Sequence, residues 1–461
     1  MRTRPDTACR SLGKEKEYMK KRVFFGLIIL TLIALPWLVA YAKQPAAPAA
    51  ILVGNPASLT GMFAGFGQGQ VFGMKAAVDD INKQGGVYVK EYGKKLPIKL
   101  IVVNSESDPL KAGTLAESLI VSDKVHFLSQ GGETPIMPPQ ISNVADRYKV
   151  PYVTAVGPME PWLGMRQTVE GHWKYTWAFG FPIATPAPAG STFAKPGYTV
   201  MDNWKGSLDL FGNKTNKKVA IFASDDPDGI GWYGLFSGAL KSWGYNVIGA
   251  DKKLGLVPMD TTDFTSIIKQ WKDNKCEILW GNAPGPFVGT LLKQCSALGL
   301  QPKIISIGRG AMFVENVASW GGDLPLGIGC EIWGDPSMEG SKGIGSVTLK
   351  SLAERWLKET GKPLNRCIGS GYRSMQVLCD AIERAGSLDR EKVQAALAQT
   401  DFIAIQHLVK FDENHFSYEP LAFGQWQKTD KPWVWELPVV FSQLDFIKTT
   451  AKLIFPIPYK K

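Results

Sequence analysis

Residues 76–86 read AAVDDINKQGG, and residues 97–103 read PIKLIVV. The first stretch closes an apolar helical stripe: Phe72, Ala76, Val78 and Ile81 recur at helical spacing, and Gly85-Gly86 stops it. The second is a short β-branched run, the composition of a buried strand. Upstream, Ile51-Leu-Val-Gly54 is another short apolar strand, separated from the helix by a turn-rich segment at 56–69. Strand, helix, strand in this order predicts a βαβ unit. The pattern continues with a helix over 112–122, a strand over 125–129, a helix over 141–148 and a strand over 151–156. Such alternation makes a parallel sheet covered by helices on both faces.

After a proline- and aromatic-rich passage at 175–188 the alternation restarts. Strands are expected over 219–223, 245–250, 278–281 and 303–307, with helices over 232–243, 264–273 and 287–298. Two more helices follow, over 345–360 and 372–385, and then short strands at 411–412, 424–427 and 433–437. The expected fold class is therefore α/β, two lobes each built on a parallel sheet flanked by helices. In such sheets the loops beyond the C-terminal strand ends carry the binding groups. These loops are 56–69, 129–135, 156–162, 224–232, 282–287 and 308–312.

Ahead of the first strand, Lys20, Lys21 and Arg22 precede an uncharged run of 17 residues, 23–39, then Ala40-Tyr41-Ala42. Basic patch, apolar stretch and small residues are the parts of a secretory signal, with cleavage expected after Ala42. A retained anchor is the alternative, but the run lies at the short edge of the roughly 20 residues a spanning helix needs. Residues before Met19 do not read as part of an export signal. The segment 1–42 holds eight Lys/Arg and three Asp/Glu, so its removal lowers the net charge from +10 to +5. That value suits solubility, and no basic cluster interleaves with aromatics, so no nucleic-acid partner is expected.

Five cysteines remain, Cys276, Cys295, Cys330, Cys367 and Cys379, with no CxxC spacing, so at most two disulfides could form and no metal cluster is expected. Four histidines stand singly, which suits structural or surface roles. No nucleophile elbow, zinc-protease or phosphate-loop motif is present, and Gly229-Ile-Gly231 lacks the third glycine of a dinucleotide turn. Neither catalysis nor a cofactor is expected.

Several segments, taken together, resemble the type I periplasmic solute-binding proteins, in particular the branched-chain amino-acid (Leu/Ile/Val) receptors of ABC transporters. They are Pro56-Ala-Ser-Leu-Thr-Gly61 with Gly67, the 76–86 stretch, Ala145-Asp-Arg-Tyr-Lys-Val-Pro-Tyr-Val153, Asp263-Phe-Thr-Ser-Ile-Ile268 and Val409-Lys-Phe-Asp412. The resemblance covers essentially the whole chain after the leader. It implies two lobes joined by three crossovers, expected near 177–182, 329–334 and 406–409. Lobe 1 would then hold 51–178 with 333–405, and lobe 2 would hold 179–332 with 406–451. It implies a small-molecule ligand buried between the lobes, ABC permease subunits as partners, a monomer and a periplasmic location. A ligand-sensing receptor component is the alternative role.

Carried to the pocket, the resemblance places the ligand carboxylate on the first lobe, at the loop containing Gly131, Gly132, Glu133 and Thr134. Val156 precedes Gly157-Pro158, where the relatives carry a threonine hydroxyl, and Phe66 falls on an aromatic wall position. Asp228 matches a position that stacks on or hydrogen-bonds the ligand. Arg309, in Ile307-Gly-Arg-Gly310, falls where the relatives use an acidic residue for the ligand ammonium. An arginine there is a fork for a carboxylate, so the expected solute is a small carboxylate, with a hydrophobic amino acid as the alternative. Fifteen tryptophans are many for 461 residues. Of these, Trp162, Trp177, Trp204, Trp232 and Trp333 fall on or beside the expected cleft loops or crossovers, and Trp162 is expected at the ligand.

Overall fold

The computed structural model describes residues 46–191 and 197–459. The leader at 20–42, with its cleavage and anchor readings, lies outside the described residues. No described helix is long and apolar enough to cross a membrane.

Two sheets organise the chain. The first takes β1 (Ile51–Ala57), β2 (Ile98–Asn104), β3 (Phe127–Glu133), β4 (Tyr152–Val156) and β5 (Thr176–Gly180). The second takes β6 (Lys218–Ser224), β7 (Ile278–Ala283), β8 (Ile304–Arg309) and β9 (Ile328–Ile332). Late in the chain β10 (Phe416–Tyr418) joins the first sheet, and β11 (Ala422–Gln425) and β12 (Val439–Phe441) join the second. The first sheet is parallel throughout, in the order β10-β5-β4-β3-β1-β2, with Val53 of β1 opposite Leu100 of β2. The second runs β6-β7-β8-β9-β11-β12, with Leu256–Val257 beyond β6; β11 and β12 pair antiparallel. The central strands are buried on both faces, which is why they read as continuous apolar runs rather than alternations.

The first crossover leaves β5 at residues 181–182 and the second leaves β9 at 333–334. The third falls at 419–421, because β10 pairs with β5 over Phe416 to Tyr418 and only β11 enters the second sheet. Residues 406–409, expected there, belong instead to a hairpin in which Leu408–Lys410 pairs with Asp401–Ile403. The second lobe's last segment therefore begins after Tyr418 rather than at 406.

Five helices position the cleft: α1 (Ala64–Lys83), α2 (Met159–Thr168), α3 (Val200–Asp209), α4 (Pro227–Ser242) and α5 (Ile368–Ala385). Helix α1 starts at Ala64, well inside the segment read as turn-rich. Its glycines allow close packing: a Cβ on Gly69 would lie 2.0 Å from Asn365 Oδ1. Helix α3 was silent in the sequence. Its N-terminus carries a capping box between Thr199 and Asp202, and Val200 N–H and Met201 N–H donate to the carbonyls of Pro182 and Ile183 at 2.8 and 3.0 Å, tying it to the first crossover. All five cysteines of the described chain are buried and unbridged.

Candidate functional site

Strand β8 ends in Arg309, whose backbone takes φ +47°, a strained left-handed conformation for a residue with a Cβ. That turn aims its N–H at Glu331 Oε1, 2.9 Å away on the neighbouring β9. The side chain is 4% exposed and runs back over β6. Its Nη2 donates to Asp226 Oδ2 at 3.0 Å and Ser224 Oγ at 2.5 Å. Its Nη1 donates to Asp226 Oδ1 at 3.2 Å and lies 3.1 Å from Asp228 Oδ2. The fork is thus occupied by two carboxylates of its own lobe.

Those carboxylates differ in how they are held. Asp226 is the N-cap of α4: its Oδ1 accepts from Asp228 N–H and Gly229 N–H at 3.0 and 3.1 Å. Burial works against its charge, but Arg309 prevails and keeps its carboxyl below the ordinary range. Asp228, in the first turn of the helix, is pushed up to about 7 by burial, with Arg309 pulling the other way and Asp226 and Glu331 adding to the rise. Burial also raises Glu331. Two carboxylates therefore hold the guanidinium, and a third, Glu331, holds the backbone N–H of the same residue.

Asp228, Arg309, Glu331 and Asn282 line one side of a cavity between the lobes. Phe66 of α1 and Gly157-Pro158 beyond β4 supply the opposite side. Crossover residues Phe181, Ile183 and Trp333 and helix residues Val200, Trp204, Trp232 and Phe236 complete the lining. The rings form two groups: Phe66 lies 5.5 Å from Trp333 and Trp333 5.4 Å from Phe181, while Trp204 lies 6.0 Å from Trp232. The cavity is narrow, about 20 Å³, room for about one water molecule. Three buried polar atoms on its lining have no partner: Asp228 Oδ1, Arg309 Nε and Trp333 Nε1. A roomier groove of about 520 Å³ runs between Leu349–Thr360 and the turn at Trp433 to Trp435, and no unpartnered buried polar atom lines it among the described residues.

Of the residues singled out from sequence, Phe66, Asp228 and Arg309 meet at this cavity. Gly131, Gly132, Glu133 and Thr134 lie elsewhere, under α5. Strand β3 runs on through Glu133, fully buried, and a Cβ on Gly131 would sit 2.2 Å from Gly371 Cα. Glu133 Oε1 accepts from Gln70 Nε2 at 2.7 Å, and burial pushes its carboxyl up to about 8. Thr134 is 1% exposed with its hydroxyl unpartnered. Val156 is buried in β4, one residue short of the cavity wall. Trp162 packs between Trp173 and Phe416, 5.6 and 6.0 Å away, on the far side of α2.

Trp204, Trp232 and Trp333, expected on or beside cleft loops or crossovers, also line the cavity, whereas Asn282, Glu331 and Phe181 were not singled out. Asn282 was within reach, since it opens the 282–287 loop. Glu331 carried no such signal: it lies inside a strand, and only pairing beside β8 brings it to Arg309.

Comparison with known proteins adds the family context. A periplasmic binding protein family model matches residues 50–431. The Leu/Ile/Val-binding protein BraC3 of Rhizobium johnstonii is 25% identical over 366 residues, covering 77% of this chain and 85% of that protein. The leucine-binding protein LivK of Thermotoga maritima superposes with a TM-score of 0.64 at 20% identity, over 86% of this chain and 99% of its own. A solute-binding protein of an ABC transporter from Rhodopseudomonas palustris BisB5, solved with 3,4-dihydroxybenzoic acid, superposes with a TM-score of 0.63 at 20% identity, over 87% and 99%. The two structures establish likeness of fold.

Proposed function

This chain belongs to the periplasmic binding protein family, a non-catalytic group of transport-associated solute receptors, and from that premise we propose that it captures a small carboxylate-bearing solute with an apolar or aromatic body. The carrying observation is the set of three unpartnered polar atoms on the cavity wall. Arg309 Nε–H and Trp333 Nε1–H are donors, and Asp228 Oδ1 is an acceptor. Buried polar atoms of this kind cost free energy unless something pairs with them. A solute with a carboxylate for the donors and a hydroxyl or ammonium for Asp228 pairs all three. The rings that complete the lining suit a flat or branched apolar body.

The relatives' ligands have this same two-ended chemistry. The BisB5 protein was solved with 3,4-dihydroxybenzoic acid and a Rhodopseudomonas palustris HaA2 protein with p-hydroxybenzoic acid. Others are named for leucine, isoleucine and valine. Phe66, Asp228 and Arg309 are the proposed ligand contacts. Delivery to ABC permease subunits follows from the family, and the protein acts as a monomer in this reading. A hydrophobic amino acid is the second reading, favoured by the excess of carboxylates over Arg309.

A thermal-shift panel on protein unfolded and refolded to strip carried-over solute tests both. Hydroxybenzoates raising Tm by several degrees more than leucine, isoleucine and phenylalanine is the expected result. Stabilisation by the amino acids alone selects the second reading, and no stabilisation by either removes the solute class.

A further inference from the structure

Arg309 has two carboxylate partners, and only one of them is fixed. Asp226 is held by five polar contacts: two α4 amides, Ser224 Oγ, and both terminal nitrogens of Arg309. It caps a helix and does not line the cavity. Asp228 does line it, touches Arg309 through one oxygen at 3.1 Å, and leaves Oδ1 unpartnered. We propose that an acidic solute seated on the open Nε–H of Arg309, beside the Asp228 carboxylate on Nη1, drives Asp228 to take up a proton. This rests on the acidic-solute reading above and deepens it: Asp228 becomes the residue that sets which charge the cleft accepts.

The charges around Asp228 compel the exchange. Arg309 faces it from β8, Glu331 from β9 and Asp226 from its own helix cap, while the uncharged Asn282 side chain of β7 pulls its acid down by hydrogen bonding. Across the cavity Phe66, Pro158 and Trp333 bring no titratable group. A solute carboxylate would be a third carboxylate on a guanidinium already held by Asp226 and Asp228 in a desolvated space, which is unfavourable unless one of them is neutralised. Asp226 cannot yield without uncapping α4. Asp228 can: burial has already brought its acid to about 7, so protonation near neutral pH is cheap. A neutral Asp228 can then donate from its hydroxyl.

The sign follows. An acid that docks on Arg309 beside Asp228 binds with proton uptake, so its affinity falls as pH rises above about 7, where Asp228 is otherwise ionised. The limit is roughly tenfold per pH unit for one proton. A solute that places an ammonium on Asp228 behaves oppositely, releasing a proton and tightening as pH rises.

Titration calorimetry of the full chain with 3,4-dihydroxybenzoate, at pH 8 in two buffers of different ionisation enthalpy, counts the proton. Uptake approaching one per solute is expected. Asp228→Asn should bind this probe about tenfold more tightly at pH 8, with the buffer dependence lost. Proton release, or no proton exchange with unchanged affinity in Asp228→Asn, overturns the proposal. A second arm needs no solute. Asp228→Ala removes the carboxylate beside Arg309 and leaves space in its place, so sodium acetate should raise its Tm by several degrees over matched sodium chloride and leave the unsubstituted protein unmoved. Acetate acting no better than chloride overturns the proposal. Acetate rescue without 3,4-dihydroxybenzoate binding supports the exchange while removing that solute class.

Discussion

Glu133 shows how one residue's environment decides its role. Its position after a strand invites a ligand contact, but α5 covers it, and its Oε2 has no partner. Burial raises its acid to about 8 against an ordinary value near 4.5. The folded state therefore holds a proton that the unfolded state releases. The associated stability is complete below about 4.5 and is lost as pH climbs through about 8. Glu133→Gln, which keeps the acceptor for Gln70, should flatten the decline and raise Tm at pH 8. Denaturant melts at pH 5 and pH 8 check it, and an unchanged pH slope would mean that another group carries it. Asp226 is the contrasting case. Asp226→Ala removes a helix cap, a loss of about 1 kcal/mol, and strips Arg309 of its fixed partner, so about 3–5 kcal/mol of stability should go in all. Urea unfolding of the variant measures this; a loss under about 1 kcal/mol would mean Asp228 alone satisfies the guanidinium.

At the scale of elements, the crossovers are tied down by buried polar groups. Arg373 of α5 pairs with Glu419 beside the third crossover, Nη2 to Oε2 at 2.8 Å, and its guanidinium lies 3.9 Å from the centre of the Phe179 ring. Glu419 N–H donates to the Gly180 carbonyl at the end of β5, so the first and third crossovers share one anchor. Trp333 of the second crossover accepts from Gln406 Nε2 through its carbonyl at 2.9 Å. Arg373→Met leaves Glu419 buried without its cation and should cost about 3–5 kcal/mol, while the double variant Arg373→Met/Glu419→Gln should regain much of it. Equilibrium unfolding of the three variants decides; a purely additive double variant would mean the pair is not coupled. Packing between elements also explains why the segment at 64–69 reads as a turn and folds as a helix. Glycine disfavours helix by roughly 1 kcal/mol per residue, yet here the absent side chains let α1 approach Asn365 and Phe313 closely enough for burial to outweigh that loss.

Across the whole molecule the lobes already touch over the cleft. A Cβ on Gly65 of the first lobe would lie 2.5 Å from the Phe313 ring of the second, and one on Gly231 of α4 would lie 3.1 Å from Pro161 of α2. A cavity of about 20 Å³ admits no solute larger than water unless these contacts part. Binding is then a population shift between separated and closed lobes, limited by the solute's preference for the closed one. Solution scattering should show a smaller radius of gyration on saturation with the solute that the thermal-shift panel selects. Gly231→Trp, which wedges the lobes at Pro161, should weaken that solute at least tenfold while Tm moves little. A variant that binds normally would place closure on another pair of surfaces.

The sequence by itself determined the α/β class, the two successive sheets and the family resemblance, because buried parallel strands and amphipathic helices leave local patterns in composition and period. It also brought Phe66, Asp228 and Arg309 to attention, through the family resemblance, which matches them to ligand-binding positions of the receptors. What it could not contain is which groups meet. Glu331 reaches Arg309 through strand pairing, β10 stays with the first sheet through its pairing with β5, and Glu133 is sealed by a helix that lies far along the chain. Above all, Arg309 reads locally as a free cation. Only the fold sets Asp226 and Asp228 against it, because charge neutralisation in a desolvated cleft is a property of distances in space.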